Sequence, residues 1–369
     1  MMHKSLLVKL FQAGVTAVRG DTAVAHALKT GSVPPPDQII AVGKAATAMA
    51  RAAHEVFPQA PILIVTKYDH AEDAPAPAVV IEAAHPVLDE NSLRAGRMIR
   101  NTVAAMTTGS HLLMLVSGGA SALAEDPVEG LDLDGLSART VEMLGAGDDI
   151  HAMNAVRKTL SRIKGGRLFD SFQGAQVTTL AISDVEGDAL NVIGSGIGAA
   201  ASTAPFTFVP QIIASNQIAR TAVVAQADAA GFTTLTNAET LYTDITKAAP
   251  AIAQTLRTAS SGLHLWGGEP TVVLPQNPGQ GGRNQALALL IAREIAGTPG
   301  LTVLVAGTDG TDGPTDAAGA IVTGDTWSPD GQAALDAANA LPWLDARGAL
   351  LRTGPTGTNV MDLVIALKS

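Results

Sequence analysis

The chain has 369 residues, of which 47% are hydrophobic and 16% charged, so it can bury the cores of two domains. Its 24 Lys and Arg residues against 34 Asp and Glu residues give a net charge of −10, which argues against nucleic acid as a partner. The absence of cysteine excludes disulfide bonds and thiolate chemistry and fits a cytoplasmic location.

The longest uncharged run, Ala189 to Ala219, could be mistaken for a membrane span. Glycine and proline interrupt it, for example at Gly194, Pro205 and Pro210, and such residues are unfavourable in a helix that faces lipid. We therefore expect no membrane partner.

The first part of the chain alternates strand and helix patterns after an amphipathic N-terminal helix. Apolar segments that predict strands begin at Ile39, Pro61, Val79, His111 and Val177. Helices are predicted between them, one starting at Lys44 and one running from Ser92 to Met106. This alternation predicts a doubly wound α/β sheet.

The predicted N-terminal domain ends with a helix, a strand and a helix between Gln217 and Ser260. A polar junction at residues 260–261 then divides the chain into domains at 1–258 and 259–369. Beyond it, Leu263–Trp266 and Thr271–Leu274 predict a β-hairpin that turns at two glycines. A helix, a strand from Leu301 and a final strand complete this domain.

Arg283 follows a glycine-rich turn and stands where a helix should begin. A cation at the positive end of a helix dipole is unfavourable by about 0.3–1 kcal/mol, so its position indicates that an anion belongs there. The N–H groups around Gly281 and Gly282, together with the guanidinium, would bind a phosphate or carboxylate.

Two further glycine turns follow predicted strands. Gly43 and Lys44 form one, although an exposed lysine at a helix start is often without function, and the Walker A spacing is missing. The other, Ser117 to Ser121, offers backbone and hydroxyl donors at the carboxyl end of a strand, where open α/β sheets bind ligands.

Acidic loops end two later strands. Asp309 and Asp312 are ordinary turn formers in Asp-Gly pairs, but carboxylates at a strand end can also hold Mg²⁺ or a substrate hydroxyl. Asp184 offers the same chemistry in the first domain. The nearby GSGIGA segment (194–199) lacks the strand and the acidic residue that a dinucleotide fingerprint requires.

Together, these motifs resemble those of the type II glycerate kinases, the glycerate 2-kinase family. The matching segments are VGKA (42–45), His85-Pro86, SGGASAL (117–123), NAVRK (154–158), SRIKGGRL (161–168), ISDV (182–185), GGRNQ (281–285), GTDGTDGPTDAAGA (307–320) and TGPTGTNVMDL (353–363). The resemblance implies ATP- and Mg²⁺-dependent phosphorylation of D-glycerate to 2-phosphoglycerate in the cytoplasm. It also implies a larger Rossmann-like N-terminal domain and a smaller α/β C-terminal domain, with the active site in the cleft between them.

The resemblance also implies roles for individual residues. We expect Lys44, Arg283 and Asp184 to be catalytic, and Asp184 and Asp309 to bind Mg²⁺. Substrate or nucleotide contacts are expected from Gly43, Ser117, Gly118, Gly119, Ser121, Asn154, Lys164, Gly281, Gly282, Asn284, Thr308, Asp309, Asp312, Thr356 and Asn359. The sequence does not identify a catalytic base or decide between a monomer and a homodimer.

Two alternatives remain at this point. One is an NAD(P)H-dependent hydroxypyruvate reductase, for which GSGIGA is the only local support. The other is a non-catalytic protein that binds sugar acids. Both predict outcomes different from those of a kinase when glycerate and ATP are supplied.

Overall fold

The structure, a computed structural model, describes residues 2–31, 33–136, 138–139 and 158–369. The chain divides into two compact units. The Lys44 unit consists of Arg19–Ala214 with Gly357–Asn359, and the Arg283 unit consists of Met1–Val18, Ser215–Thr356 and Val360–Ser369. Each unit contains its own β-sheet, so the fold is mixed α/β with two sheets.

The described helices and strands alternate along most of the chain. Up to residue 214 they are α1 (Met2–Val18), α2 (Gly20–Thr30), β1 (Gln38–Val42), α3 (Ala46–Val56), β2 (Ile62–Lys67), β3 (Val79–Ala83), α4 (Glu90–Ala104), β4 (His111–Val116), α5 (Ala120–Leu123), β5 (Gln176–Ile182) and β6 (Thr207–Ala214). Short 3-10 helices cover Arg167–Ser171, Glu186–Asp188 and Ile193–Gly196.

The later elements are α6 (Asn216–Ala229), β7 (Thr234–Glu239), α7 (Ile245–Thr258), β8 (Gly262–Gly268), α8 (Arg283–Glu294), β9 (Leu301–Gly307), β10 (Gly319–Thr323), α9 (Gly331–Asp336), α10 (Ala340–Asp345), β11 (Leu350–Leu351) and β12 (Asp362–Lys368). Across the described ranges, no helix combines the length and the apolar character needed to cross a bilayer.

The sheet of the Lys44 unit is parallel, with the strand order β3-β2-β1-β4-β5-β6. Every residue of the central strand β4 is buried, which explains its unbroken apolar sequence HLLMLV. Parallel strands covered on both faces have continuous apolar runs of this kind rather than alternating ones. The five strands predicted from these runs are confirmed.

The sheet of the Arg283 unit has the order β11-β10-β9-β12-β8-β7. β7 is parallel to β8, and the other neighbouring strands are antiparallel. Helix α1 packs against α6, β9 and β12, and α7 packs against α8. The apolar core of this unit includes Trp266, Leu287 and Val305.

Three local predictions need correction. The hairpin is wrong, because β8 pairs with β12 on one side and β7 on the other, and Val273 is 86% exposed. Helix α3 begins at Ala46 rather than Lys44, since Lys44 lies in the turn after β1. Helix α4 begins at Glu90 because Asp89 and Ser92 form a reciprocal capping box.

The unit boundaries also differ from the predicted ranges 1–258 and 259–369. Residues 215–258 belong to the Arg283 unit because β7 joins the same sheet as β8. The N-terminal helix belongs to that unit as well, since it packs against β9 and β12. The contacts of α1 with strands near the other end of the chain leave no local sequence pattern.

Gly96, inside α4, offers a test of packing in the Lys44 unit. A Cβ atom there would lie 2.1 Å from the carbonyl oxygen of Glu125, whose own N–H donates to Ser92 O at 3.0 Å. Alanine improves helix propensity by about 1 kcal/mol, but overpacking against backbone costs about 1–3 kcal/mol. We therefore expect Gly96→Ala to lower the free energy of unfolding by about 1–2 kcal/mol, measured by urea denaturation followed by circular dichroism.

The control for this prediction is Asn101→Ala, at an exposed position of the same helix. It improves helix propensity without a close backbone contact and should be neutral or slightly stabilising. If Gly96→Ala stabilised the protein as much as the control, the steric argument would be wrong.

Candidate active site

The strand order of the Lys44 unit reverses between β1 and β4. β2 and β3 lie on one side of this pair, and β5 and β6 lie on the other. In open parallel sheets, ligands bind outside the carboxyl ends of the strands at such a reversal. The two turns that follow β1 and β4 therefore define the candidate site of the Lys44 unit.

These two turns are joined by hydrogen bonds. Lys44 N donates to Gly118 O at 2.9 Å, and Ala45 N donates to the Ser117 hydroxyl at 3.1 Å. Gly43 has a φ of 126°, and a Cβ atom there would lie 2.2 Å from Ser117 Oγ. Glycine is required at this position both by its conformation and by the closeness of the neighbouring turn. Ser117 is fully buried, so its hydroxyl serves the structure of the turn.

Gly118 allows two predicted residues to approach the backbone. A Cβ atom on Gly118 would lie 2.2 Å from Asp184 Oδ2 and 2.6 Å from Asn359 Nδ2. The Asn359 amide donates to Asp184 Oδ2 at 3.4 Å. The carboxyl end of β5 and the segment 357–359 thus bring a carboxylate and an amide directly onto this turn.

Gly119 is flanked by a lysine and a histidine. A Cβ atom on Gly119 would lie 3.2 Å from Lys44 Cγ and 3.1 Å from His85 Cδ2. His85 is not among the predicted site residues, although His85-Pro86 is one of the segments that carry the family resemblance. Its position just after β3, at the same edge of the sheet as Lys44, was the feature that could have indicated it.

The side chains of Lys164 and Ser121 both contact other side chains of the Lys44 unit. Lys164 is fully buried, and its ammonium forms an ion pair with Glu125. The Glu125 carboxylate also accepts a hydrogen bond from the Ser161 hydroxyl. Ser121 Oγ lies 2.8 Å from Ser195 Oγ. These contacts connect the segments around the site. The predicted binding residue Asn154 lies outside the described residues.

The Arg283 unit contains a second group of predicted site residues. Helix α8 begins at Arg283, as predicted. Arg283 Nε donates to Asp362 Oδ2 at 2.7 Å, and Nη1 donates to Glu269 Oε1 at 2.6 Å. Although burial opposes its charge, Asp362 and Glu269 hold the pKa of Arg283 above its usual value. The anions expected at this cation include two carboxylates of the protein itself.

Asp312 occupies the N-terminus of α8. Its carboxylate accepts hydrogen bonds from Asn284 N at 3.0 Å and Gln285 N at 2.7 Å. Gly282 makes this possible, because a Cβ atom there would lie 2.2 Å from Asp312 Cγ. These backbone donors, expected to meet a ligand, are thus satisfied by Asp312. The Asn284 side chain is buried, and its amide oxygen has no hydrogen-bond partner within the described residues.

The remaining predicted residues of this unit stabilise loops. Asp309 Oδ1 accepts a hydrogen bond from Thr311 N at 3.0 Å, as an Asx turn does. Thr308 Oγ1 donates to Met361 O at 2.7 Å, and Thr356 Oγ1 donates to Thr308 O at 2.6 Å. Gly281 is half-buried at the turn before α8. Within the described ranges, no three His, Asp or Glu side chains form a group suited to a metal ion.

Known proteins match the chain along its length. The family models for the domain of unknown function DUF4147 and the MOFRL family match residues 6–228 and 262–362. The D-glycerate 2-kinase of Thermotoga maritima is 35% identical, over 99% of this chain and 98% of its own. The glycerate 2-kinase of Pyrococcus horikoshii is 34% identical, over 89% of this chain and 86% of its own. The chain belongs to the glycerate 2-kinase family.

A solved structure agrees with this membership. The crystal structure of glycerate kinase from Thermotoga maritima matches with a TM-score of 0.90 at 33% identity, and the match covers 100% of both chains. The resemblance that the sequence motifs suggested is confirmed. The mixed α/β fold with two sheets is therefore that of a glycerate 2-kinase family member.

The Asp312 cap of this family member should make stability depend on pH. Burial raises the pKa of Asp312 to about 7, against the effect of the two backbone donors. The ordinary aspartate pKa is about 3.9, so between pH 4 and 7 the folded state retains a proton that the unfolded state has lost. The contribution of Asp312 to the free energy of unfolding should therefore decrease by about 4 kcal/mol as the pH rises through this window.

Tryptophan fluorescence can measure this effect, since Trp266, Trp327 and Trp343 all belong to the Arg283 unit. Urea unfolding should be compared between the wild type and Asp312→Asn from pH 4 to 8. The variant should be less stable at low pH and should lack this part of the decrease. Burial also raises the pKa of Asp362, so only the difference between the two proteins is diagnostic. Parallel pH curves would contradict the assignment to Asp312.

Proposed function

We propose that the protein transfers the γ-phosphoryl group of ATP to the C2 hydroxyl of D-glycerate, which gives ADP and 2-phosphoglycerate. The observation that carries this proposal is the full-length similarity to the D-glycerate 2-kinase of Thermotoga maritima. In the reaction, a bond forms between the C2 oxygen and the γ-phosphorus. The bond from that phosphorus to the β,γ-bridging oxygen breaks, and the hydroxyl proton is released.

The cations singled out from the sequence fit this reaction. Phosphoryl transfer depends mainly on positioning the reactants and neutralising the charge of the transferred group. Lys44 lies beside the Gly118–Gly119 turn at the sheet reversal, where the N–H groups of the turn would receive an anion. Arg283 supplies a second cation at the start of α8.

The two partners of Arg283 differ in their exposure to solvent. Asp362 has a side chain only 2% exposed, whereas the Glu269 side chain is 46% exposed. An incoming phosphate or substrate carboxylate would replace Glu269 as the acceptor at Nη1, while Asp362 would keep its hydrogen bond with Nε. In this proposal, the buried carboxylate orients the guanidinium and the exposed one exchanges with the substrate.

Mg²⁺ would enter the reaction bound to ATP as part of the substrate. It usually keeps several water ligands and takes one or two carboxylates besides the phosphates. Asp184 fits this need, since it is a carboxylate packed against the Gly118 backbone near Lys44. Asp309, the other predicted ligand, has one oxygen engaged by Thr311. Bound Mg²⁺ would offset charge on the phosphates, and these two carboxylates remain the candidates to hold it.

Other expectations also stay predictions. We propose a Rossmann-like fold for the Lys44 unit, which its parallel strand order supports. That one site uses groups from both units is expected from the resemblance and would require Lys44 and Arg283 to be essential in the same assay. The cytoplasmic location and the choice between monomer and homodimer are likewise predictions.

The structure gives no support to the reductase alternative at the GSGIGA segment. A dinucleotide fingerprint follows a strand directly and opens a helix. Here β5 ends at Ile182, and Ile193–Gly196 forms a 3-10 helix instead. The kinase and the reductase also require different cosubstrates, so one assay can separate them.

The test is incubation of the protein with D-glycerate and MgATP, and separately with hydroxypyruvate and NADH. We expect ADP to form in step with 2-phosphoglycerate, identified by phosphorus NMR, and no oxidation of NADH. Oxidation of NADH without ADP formation would reject the kinase. Binding of glycerate without turnover would favour the sugar-acid-binding protein.

Substitution of the two cations tests their proposed roles. Lys44→Ala and Arg283→Lys should each lower kcat by at least about 10²-fold, since cations on the transferred group are worth about 10³–10⁵ in such enzymes. Arg283→Lys keeps the charge beside Asp362 but loses the planar fork. Arg293→Lys, in the last turn of the same helix, is the matched control and should keep nearly full activity. A change in KM alone after Lys44→Ala would contradict a role in transfer.

A further inference from the structure

The residue before Asp362 has an unusual backbone conformation. Met361 is 3% exposed and has a φ of 67°, in the left-handed region that residues other than glycine rarely occupy. It immediately precedes the carboxylate that holds Arg283, at the first residue of β12. Such conformations persist only where the surrounding structure determines them and are frequent at functional sites.

Two side chains bind the backbone on both sides of Met361. Asn216 Nδ2 donates to Val360 O at 2.9 Å and to Asp362 O at 3.1 Å. Thr308 Oγ1 donates to Met361 O at 2.7 Å and accepts from Val360 N at 2.9 Å. Thr308 N also donates to Met361 O, at 3.0 Å. Three consecutive carbonyl groups are thus held from α6 and from the end of β9.

Asn216 is itself fixed in orientation. It is fully buried, and its Oδ1 accepts a hydrogen bond from Arg220 Nε at 2.9 Å. Arg220 is held in turn by Asn237 and Glu239. Gly267 leaves room for the amide, because a Cβ atom there would lie 1.7 Å from Asn216 Oδ1. The amide can therefore present its donors only to the backbone around Met361.

We propose that Asn216, Thr308 and the left-handed Met361 form a clamp that positions Arg283 for phosphoryl transfer by fixing the Asp362 carboxylate. This proposal rests on the proposed kinase function and extends it to residues that act through Arg283. Asn216 has no role in the sequence-based prediction, and Thr308 becomes a positioning residue rather than a substrate contact. The clamp fixes Asp362, and Asp362 sets the plane of the guanidinium.

The first experiment replaces the two amide donors. Asn216→Asp keeps the shape and the contact with Arg220 but removes both donors to Val360 and Asp362. We expect kcat/KM to decrease by about 10²-fold, the effect of misplacing a catalytic group by about 1 Å. Asn237→Asp is the matched control, since it also places a carboxylate on Arg220 but does not contact the clamp. It should change kcat/KM by less than about threefold.

A double-mutant cycle separates positioning from a general loss of folding. In the Arg283→Lys background, Asn216→Asp should decrease kcat/KM by less than about threefold, because its effect passes through Arg283. A loss of stability alone would reduce activity equally in both backgrounds. Equal losses would therefore overturn the proposal, as would an unchanged kcat/KM in Asn216→Asp.

A second pair of variants tests the backbone conformation, in case Asn216→Asp does not fold. Met361→Gly and Met361→Ala leave nearly the same cavity, but only glycine adopts a positive φ without steric cost. The glycine variant should therefore be at least about tenfold more active than the alanine variant. Equal activity of the two, or a more active alanine variant, would contradict the clamp.

Failure of the proposed function can be distinguished from failure of the clamp. If the wild type phosphorylates no glycerate, the kinase proposal fails, and a crystal structure of Asn216→Asp then tests the geometry alone. Loss or displacement of the Arg283–Asp362 hydrogen bonds would support the clamp. An unchanged pair would overturn it.

Discussion

The contact of Arg283 with the buried carboxylate of Asp362 is the constraint on which the Arg283 unit depends. The Asp362 side chain is 2% exposed, so loss of Arg283 would leave a buried carboxylate without its partner, which is destabilising. The first residue of β12 must therefore lie beside the first residue of α8. The pairing of β12 between β8 and β9 satisfies this requirement. The order of the sheet thus places Asp362 beside Arg283.

The strain at Met361 is small compared with the contacts that hold it. A left-handed conformation costs a non-glycine residue about 1–2 kcal/mol. The hydrogen bonds from Asn216 and Thr308 to residues 360–362 contribute about 1 kcal/mol each. Their sum exceeds the strain, so the conformation is stable without a ligand. In the Lys44 unit, by contrast, glycine at positions 43 and 118 allows the turns after β1 and β4 to lie close to their neighbours without a side chain in the way.

Local patterns in the sequence were sufficient for part of this architecture. Apolar runs predict the parallel strands, and the position of Arg283 at a helix start indicates an anion. Asp362 and Glu269 are anions of the protein itself at this position, and the bound ligand stays a prediction. Asp362 was not identified as the partner, because it lies 79 residues away and an acidic residue at a strand start has many explanations. The hairpin prediction failed for the same reason, since β8 satisfies its hydrogen bonds with strands distant in sequence. The cap that Asp312 forms on α8 spans 28 residues of sequence and leaves no local pattern that could predict it.

The two carboxylates around Arg283 also explain how an acidic protein can bind an anionic substrate. With a net charge of −10, attraction over long distances is unfavourable, so binding depends on local cations. An ion pair as exposed as that with Glu269 is worth only about 0–1 kcal/mol, and a phosphate can replace it at little cost. Breaking the contact with Asp362 would leave a buried carboxylate without its partner, so this contact stays. The buried Asp362 thus orients one edge of the guanidinium. The other edge, at the exposed Glu269, can exchange this carboxylate for the substrate anion.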